Sequence, residues 1–509
     1  MLRVLGSPKR LCDGVTRRDL LRVGGLSGLG LLGVSGAAEA LAAASAESSP
    51  SSAARLPKFG QAKSCILLFL YGSPSQLETF DPKPDAPVEI RGEFGCIPSS
   101  VPGLSVCDRL PRMAKVMDKA TILRSVTHPY PLHGVAYATT GIPRIEVSME
   151  LNPRDQAHWP FMGSVVEACD LRQKRGGPDR DGKRDIPQNM LLPWAFSSHR
   201  VGEVPRAGPY GGFLGSTFDP VPTEFLGEGT RKAKKTLADK TWEDFELYRG
   251  VTPKSRFRLG SVTEPEAGVT LDRLDRRRSL LEQIEDVRRV GAGDWKGVDR
   301  QRALAYRLLG SEKLRQAFDL DQETPETREL YGMTLFGQAS LTARRLVEAG
   351  GRFATVFWDE YGLAGTGWDT HWDHFPRMKD ELLPGLDQTL SGLLTDLDRR
   401  GMLDETLVIC LSEHGRTPKI QSTVAGGGRD HWSRCYSVLM AGGGIARGQV
   451  VGRSDKSAGD PLDRPISPKD VLATAYHLLG IDPDIMFVDR QNRPLPLIPG
   501  GSVIPEALV

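Results

Sequence analysis

The stretch Ser64–Tyr71, with the sequence SCILLFLY, is the segment that says most about the fold. It is a continuous apolar run between the charged Lys63 and the turn residue Gly72. A run that is apolar at every position is typical of a strand buried on both faces, as in a parallel sheet. Similar runs recur along the chain, at Thr121–Val126, Phe353–Trp358, Thr406–Ser412 and Tyr436–Ala441.

Helical patterns lie between and after the last of these strands. Asp380–Arg400 places leucines three and four positions apart, which gives a helix one buried stripe, and Gly401 ends it. Ser467–Asp470 reads Ser-Pro-Lys-Asp, a helix start with a serine N-cap and proline at the first position, and the helix is predicted to run to about Leu479. Strands alternating with helices predict an α/β domain with a mostly parallel central sheet and helices on both faces.

The middle of the chain has a different character. Between residues 171 and 335, charged, glycine-rich and proline-rich segments interrupt the apolar pattern, so we expect a helical and loop insertion or cap packed on the sheet. The predicted organisation is a leader at 1–46, a low-complexity linker at 47–57 and one domain at 58–509 that carries this insertion.

The N-terminus has the parts of an export signal. Arg17 and Arg18 precede the apolar, glycine-rich stretch Val23–Ala38, and an Ala/Ser tract continues to Ala46. This order resembles the twin-arginine signature. This stretch is too weakly apolar to form a stable membrane span. We therefore expect a periplasmic or otherwise exported protein that engages the twin-arginine export machinery and has no stable membrane span after cleavage.

The composition of the chain argues against some classes of partner and metal site. The 66 basic and 64 acidic residues are interleaved and give a net charge of +2, which argues against a nucleic-acid partner. The seven cysteines have no zinc-binding spacing. Cys96 and Cys107 are close enough in sequence to pair in an oxidising compartment, and two free thiols are the alternative.

The histidines point to a site. Four of the nine fall between residues 371 and 431, each beside an acidic residue or one position away. They belong to three motifs: GWDTHWDH with Asp369, His371, Asp373 and His374; SEHGRTP with Glu413 and His414; and GGGRDHW with Asp430 and His431. Ligands bind at the carboxyl ends of parallel strands, where we expect these motifs to converge.

Imidazole and carboxylate together suit a divalent metal, most simply zinc or manganese. The predicted metal ligands are Asp369, His371, Glu413, His414 and His431. Taken singly, a Glu-His pair after a strand is more often a capped, hydrogen-bonded pair than a metal ligand.

Three further residues are candidates for catalysis. Arg416 has the geometry to hold an anion with its guanidinium fork, and an ion pair with a neighbouring carboxylate is the alternative. His128 and His133 follow the predicted strand Thr121–Val126, where they would either line the same cleft as general acid or base, or pack as structural histidines.

Taken together, several motifs resemble one family. They are the leader, GSPSQLETFDPKPDAP from Gly72, HGxxYxxTG from His133, WDTH from Trp368, EHGRTP from Glu413 and GRDHW from Gly428. They resemble domain-of-unknown-function family 1501, from about Ser64 to the C-terminus. That family is similar to the alkaline-phosphatase/sulfatase-like superfamily, whose fold the resemblance implies.

The resemblance also implies a metal site. Superfamily sites use an early aspartate after the first strand, an Asp/His group, an Asp-His-Gly pair and a late histidine. Glu413 and His414 resemble the pair with glutamate substituted, Asp369 with His371 resembles the group, and His431 resembles the late histidine.

Two departures from the superfamily pattern stand out. The first strand ends in Tyr71-Gly72 where the aspartate is expected, with only Glu78 and Asp81 nearby. The stretch Tyr130–His133 has no serine or threonine where the nucleophile is expected, and Ser75, Ser125 and Thr127 fit the position imperfectly.

Two functions follow. The first is an exported metal-dependent hydrolase of phosphate or sulfate esters, acting on a small-molecule or glycan ester. The second is a non-catalytic binding or assembly module that keeps the superfamily fold. Metal binding and ester turnover distinguish them.

Overall fold

The structure is a computed structural model, and its description is restricted to part of the chain. The described residues are 56–131, 135–142, 157–173, 186–193, 210–227, 230, 250–259, 311–358, 367–489 and 491–508. The chain divides into two units, Met1–Arg55 and Leu56–Val509, and every described residue belongs to the second. The predicted leader, most of the linker and His133 lie outside the described residues.

An eight-stranded sheet forms the centre of the described unit. Its strands are β1 (Ser64–Leu70), β2 (Ala120–Val126), β3 (Asn189–Leu192), β4 (Val221–Pro222), β5 (Phe353–Trp358), β6 (Thr406–Leu411), β7 (Tyr436–Ala441) and β8 (Gln449–Val451). They are arranged in the order β8-β2-β7-β6-β1-β5-β3-β4. All seven residues of β1 are buried, because β1 has neighbours on both edges and helices on both faces.

The sheet is mostly parallel, as the sequence predicts. β1 pairs in parallel with β6 and with β5, aligning Ser64 with Thr406 and Leu70 with Trp358. β7 is the exception, since it runs antiparallel to both of its neighbours, β6 and β2. Tyr436, the first residue of β7, therefore lies at the edge of the sheet where β2 ends at Val126.

Helices cover both faces of the sheet. The longer ones are α1 (Met162–Arg172), α2 (Leu335–Glu348), α3 (Leu383–Arg399) and α4 (Pro468–Leu478). On β5, the Phe353 ring packs against Phe161, the residue before α1, and the Trp358 ring stacks on Phe336 of α2. Residues 353 and 358 point to opposite faces of a strand, so α1 and α2 lie on opposite sides. The predicted α/β architecture is confirmed.

Both predicted helices are present. A π-helical turn at Met378–Leu382 leads into α3, and the chain leaves α3 at Gly401, which has a φ of +67°. α4 begins with a capping box, in which Ser467 accepts from the Asp470 amide and the Asp470 side chain accepts from the Ser467 amide. Local chemistry at the helix ends was sufficient for these predictions.

Part of the range 171–335, which was predicted as an insertion or cap, contributes strands to the central sheet. Within residues 171–335, β3 pairs in parallel with β5 and also with β4, so these residues extend the central sheet. Their parallel neighbour β5 lies far along the sequence, and short strands paired at such a separation leave little local signal. Much of the remaining range lies outside the described residues.

Short helices and two-stranded ribbons complete the described unit. The helices are Val88–Arg91, Pro111–Ala114, Val135–Thr140, Glu312–Phe318, Pro325–Tyr331 and His374–Arg377. The ribbons pair Cys96–Pro98 with Ser105–Cys107, Glu224–Leu226 with Arg256–Arg258, Gly415–Arg416 with His431–Trp432, Arg453–Ser454 with Pro461–Asp463, and Met486–Val488 with Pro494–Pro496.

Cys96 and Cys107 lie directly opposite each other on paired strands, and both are free thiols in the structure. None of the helices formed by the described residues is long and apolar enough to span a bilayer.

Candidate metal centre

The three histidine-containing motifs meet at one edge of the sheet. Glu413 and His414 follow the carboxyl end of β6, and Asp369 and His371 lie in the segment that follows β5. His431 precedes β7, and it reaches the same edge because β7 runs in the opposite direction. A parallel β7 would have placed His431 at the far edge of the sheet.

Gly72, at the end of β1, lets the Asp369 segment approach closely. A Cβ atom at Gly72 would lie 2.4 Å from the backbone nitrogen of Asp369, and the φ of Gly72 is +90°. The Trp368 amide donates to the Tyr71 carbonyl at 3.1 Å, and the Gly72 amide donates to Glu413 Oε1 at 2.8 Å. Asp369 and Glu413 thus occupy the space beside the end of β1, where a longer side chain at position 72 would clash.

Backbone pairing brings the other two segments together. Arg416 and His431 are paired residues of a short antiparallel ribbon. The Arg429 amide donates to the Thr370 carbonyl at 3.1 Å, which ties the segment before His431 to the segment that carries Asp369 and His371. These contacts join residues far apart in sequence.

Three side chains converge on one point. His371 Nε2 lies 3.0 Å from Asp369 Oδ1, His431 Nε2 lies 3.2 Å from the same oxygen, and the two Nε2 atoms are 3.1 Å apart. Among the described residues, this is the one group of histidine, cysteine and acidic side chains that could hold an ion.

Outer hydrogen bonds orient both imidazoles. His371 Nδ1 lies 2.7 Å from Asp430 Oδ1, and His431 Nδ1 lies 3.3 Å from the Pro131 carbonyl. Each Nδ1 therefore carries the proton that is donated, which leaves a lone pair on each Nε2. A carboxylate or carbonyl that accepts from the distal nitrogen of an imidazole is the usual support of a metal-binding histidine.

The three groups are open on one side. The exposed fractions of the side chains are 17% for Asp369, 29% for His371 and 21% for His431. When His371 is protonated, its Nε2 donates to Asp369, and this hydrogen bond raises the pKa of His371 above its ordinary value, against the opposing effect of burial. Without an ion, the His371 imidazole is held beside the Asp369 carboxylate.

The residues fit a divalent ion. Tetrahedral coordination at bond lengths of about 2.0–2.2 Å separates ligand atoms by roughly 3.3–3.6 Å. The observed separations of 3.0–3.2 Å require side-chain shifts of only a few tenths of an ångström. Three protein ligands with one open side are the arrangement of catalytic zinc sites, whereas structural sites have four protein ligands.

Two predicted ligands, Glu413 and His414, lie beside this trio and are not part of it. The Glu413 carboxylate accepts from Gly72, as described above. His414 is fully buried, donates from Nδ1 to the Gly415 carbonyl at 2.8 Å, and packs its ring 4.5 Å from that of His431. Both residues shape the wall behind the trio.

Arg416 has the second of its two predicted arrangements, the ion pair. Its Nη2 lies 2.6 Å from Asp369 Oδ1, and its side chain is fully buried. The guanidinium also donates to the carbonyls of Gly72, Ser73 and Arg429. Because these groups surround it, the anion-binding role predicted for Arg416 has no support in this geometry.

His128 is also tied to the backbone. Its Nε2 donates to the Glu413 carbonyl at 2.8 Å, and its Nδ1 accepts from the Tyr130 amide at 3.2 Å. Burial lowers the pKa of His128 to about 4, so the ring is neutral near pH 7. His128 therefore has the second of its two predicted arrangements, that of a structural histidine. The predicted role of His133 lies outside the described residues.

A second cluster, which we call the buried cluster, was not predicted as a group, although two of its members, Glu78 and His374, were named from the sequence. It consists of Glu78, Thr370, His374 and Arg429, none of which is more than 1% exposed. Glu78 contacts Arg429 Nη2 at 2.6 Å and His374 Nε2 at 3.2 Å, and His374 Nδ1 accepts from Thr370 Oγ1 at 2.6 Å. Burial works to raise the pKa of Glu78, but Arg429 and His374 lower it to about 2.

The order threonine, histidine and glutamate resembles a catalytic triad, but Thr370 is 1% exposed and no substrate reaches it. The sequence signal for this cluster was the presence of His374 in the same motif as His371.

Comparison with known proteins gives three results. No curated protein matches the sequence. Solved structures similar to this chain include the lipoteichoic acid synthase LtaP from Listeria monocytogenes (10% identity, TM-score 0.34, covering 90% of this chain and 80% of that one). A sulfatase from Pseudoalteromonas sp. (11%, 0.33, 83% and 69%) and a phosphonate monoester hydrolase from Silicibacter pomeroyi (11%, 0.32, 87% and 76%) are also similar. The family model described as "Protein of unknown function (DUF1501)" matches residues 62–508, and the chain therefore belongs to this family.

Proposed function

We propose that this protein is a metal-dependent hydrolase of phosphate or sulfate esters, with its metal centre at Asp369, His371 and His431. The observation that carries the proposal is the convergence of two imidazole lone pairs and one carboxylate oxygen within 3.2 Å of one another. Superfamily motifs in the sequence supply the substrate class, a small-molecule or glycan ester. The donor set fits zinc or manganese.

The chain's own residues prepare the site. Asp430 and the Pro131 carbonyl hold the two imidazoles so that both Nε2 lone pairs face Asp369. Arg416, on the buried side of Asp369, balances its charge while the open side faces solvent. Asp369, His371 and His431 would hold a divalent ion, which would supply polarisation of an ester oxygen and a lowered pKa of a bound water.

Water is the nucleophile that this site supports. Of the hydroxyls named from the sequence, Thr127 is partly exposed. The hydroxyl of Thr370 is buried and bound to His374, and Ser75 and Ser125 are fully buried. A covalent intermediate on any of these buried oxygens would require the substrate to enter the core. We therefore propose that a water attacks the ester and displaces the alcohol, and that Asp369, His371 and His431 would hold the ion that activates this water.

Metal analysis and turnover test this proposal. Purified protein is dialysed against a chelator, reloaded with Zn²⁺ or Mn²⁺, and assayed with 4-nitrophenyl phosphate and 4-nitrophenyl sulfate. We expect about one ion per chain, turnover that the chelator abolishes, and no turnover by the His371→Ala/His431→Ala variant. Protein that binds no ion refutes the metal centre.

A non-catalytic binding module is the second candidate. The burial of the Ser75, Ser125 and Thr370 hydroxyls favours it, because superfamily hydrolases use such a group as nucleophile. Bound metal without turnover of either ester, or of glycan esters, would support this reading.

Export by the twin-arginine route is part of the proposal and rests on Arg17 and Arg18 in the leader. A leader fused to a reporter should reach the periplasm, and the Arg17→Lys/Arg18→Lys pair should retain it in the cytoplasm. Equal export of both fusions contradicts this route.

A further inference from the structure

We propose that Glu78 is a positioning residue that holds the two ligand-bearing loops, 368–374 and 428–432, at the separation required to bind the ion. This inference rests on the proposed metal centre and assigns a role to a residue that does not contact the ion. Glu78 lies in the segment after β1 that the sequence analysis considered as a source of a metal ligand.

One oxygen of Glu78 holds the loop that carries His431 in place. Oε1 accepts from Arg429 Nη2 at 2.6 Å, and Arg429 is two residues before His431. Arg429 also donates to the carbonyls of Thr417, at 2.9 Å, and Ile90, at 2.7 Å. The loop is thereby pinned on its buried side, directly behind Asp430 and His431.

The other oxygen controls the loop that carries Asp369 and His371. Oε2 accepts from His374 Nε2 at 3.2 Å, and His374 Nδ1 accepts from Thr370 Oγ1 at 2.6 Å. Thr370 lies between the two ligands Asp369 and His371, so fixing its side chain fixes the direction in which theirs point. A single carboxylate thus links both loops from beneath.

Charge and burial make a carboxylate necessary at this position. Glu78 is 1% exposed, and His374 and Arg429 are fully buried, so water cannot replace a lost contact. Both oxygens of Glu78 act as acceptors. A glutamine has one oxygen and one NH₂ group, so it cannot accept from both Arg429 and His374, and it leaves the buried Arg429 guanidinium without a counter-charge.

Asp81 provides a matched control in the same segment. It is also 1% exposed and also paired with cations, Lys83 at 2.9 Å and Arg124 at 3.4 Å, and it accepts from Ser454. None of these partners belongs to a ligand-bearing loop. Asp81→Asn therefore perturbs an equally buried carboxylate network without loosening the metal centre.

The experiment compares Glu78→Gln, Asp81→Asn and the wild type. Zinc affinity is measured by competition with a chromophoric chelator on chelator-stripped protein, and thermal unfolding of the stripped proteins is recorded in parallel. We expect Glu78→Gln to weaken zinc binding about 10- to 100-fold, the usual cost of losing an outer partner, and Asp81→Asn to change it by less than about threefold. Equal affinities in the two variants overturn the inference, whatever their unfolding temperatures.

Two further measurements keep the result decisive. If Glu78→Gln does not fold, Thr370→Val removes the contact with His374 at almost constant volume, and an affinity unchanged from wild type overturns the inference. If wild-type protein binds no zinc, the proposed function fails, and the inference is then judged from crystal structures. The separation of His371 Nε2 and His431 Nε2, 3.1 Å here, should then widen in Glu78→Gln, and an unchanged separation refutes the positioning role.

Discussion

Two clusters of histidine and carboxylate lie a few residues apart in this protein and have opposite properties. In the candidate metal centre, His371 and His431 present lone pairs to Asp369, and all three side chains are partly exposed. In the buried cluster, His374 donates to Glu78, whose charge is balanced by Arg429, and water is excluded.

The difference shows that residue type does not determine the role of a histidine. His371 and His374 belong to one motif and are three positions apart. His371 lies beside a second imidazole and is open to solvent on one side, which suits an ion. His374 lies in the closed core beside Glu78 and Arg429, which suits a structural ion pair. Their partners come from distant parts of the chain.

The largest expected effect is on stability in the buried cluster. Arg429→Met leaves the Glu78 carboxylate buried without its cation, and it should lower the free energy of unfolding by about 3–5 kcal/mol. Urea denaturation at pH 7 measures this change. His371→Ala, on the partly exposed side, should cost no more than about 1 kcal/mol of stability. Equal losses in the two variants would remove the distinction between the clusters.

The next largest effect is on zinc affinity, which a substitution in the metal centre should lower more than a substitution in the buried cluster. His371→Ala removes a ligand and should weaken zinc binding by more than roughly 100-fold, beyond the usual cost of an outer partner. Chelator competition measures the affinity. The control is His477→Gln, a buried histidine of α4 that is bonded to the Pro57 carbonyl. It should leave zinc affinity unchanged, and a comparable loss in both would contradict the assignment.

His128 extends the comparison to pH. Its pKa is about 4 in the folded protein, and it is near 6.5 when unfolded, so the unfolded chain binds the proton more readily between these values. The stability that His128 contributes is complete above about pH 6.5 and is lost as the pH falls towards 4.

Between pH 7.5 and pH 5 the loss attributable to His128 should be about 2 kcal/mol. Urea denaturation of the wild type and of His128→Gln at both pH values isolates it, since the other titrating groups cancel in the difference. An identical pH dependence in the two proteins would show that the ring is not held in its neutral form.

The smallest expected effect tests how the metal centre is oriented. Asp430→Asn weakens the acceptor of the His371 Nδ1 proton and should reduce zinc affinity about tenfold, the lower end for such partners, because the Asp430 side chain is 46% exposed. Its stability should change by less than about 0.5 kcal/mol. An affinity loss as large as that of His371→Ala would instead make Asp430 a ligand.

Several features of the fold could be predicted because their signals are local. The apolar run of β1 identifies a strand with both faces buried, and the leucine spacing of α3 and the cap of α4 identify helices. The family was predictable too, from motifs that each span only a few residues. The short strands β3 and β4 were missed because they pair with distant residues and carry little periodicity of their own.

The candidate site was predicted in its residue types and only partly in its membership. Asp369, His371 and His431 form the trio, and Glu413, His414 and Arg416 form its surroundings. Acids and imidazoles that follow strands are equally able to bind an ion or to cap a strand end. The choice depends on which nitrogen finds an acceptor, and these acceptors, such as the Pro131 carbonyl and Asp430, are set by tertiary contacts.

The sequence by itself determined the alternation of strands and helices, the family, and the stretch of chain from which the metal ligands come, because hydrophobic period, helix caps and short motifs are properties of neighbouring residues. The tertiary structure alone decided that β7 is reversed, which brings His431 to the edge where β5 and β6 end. It also decided that His374 belongs to the core and His371 to the surface. Distances of about 3 Å between residues remote in sequence arise only from packing.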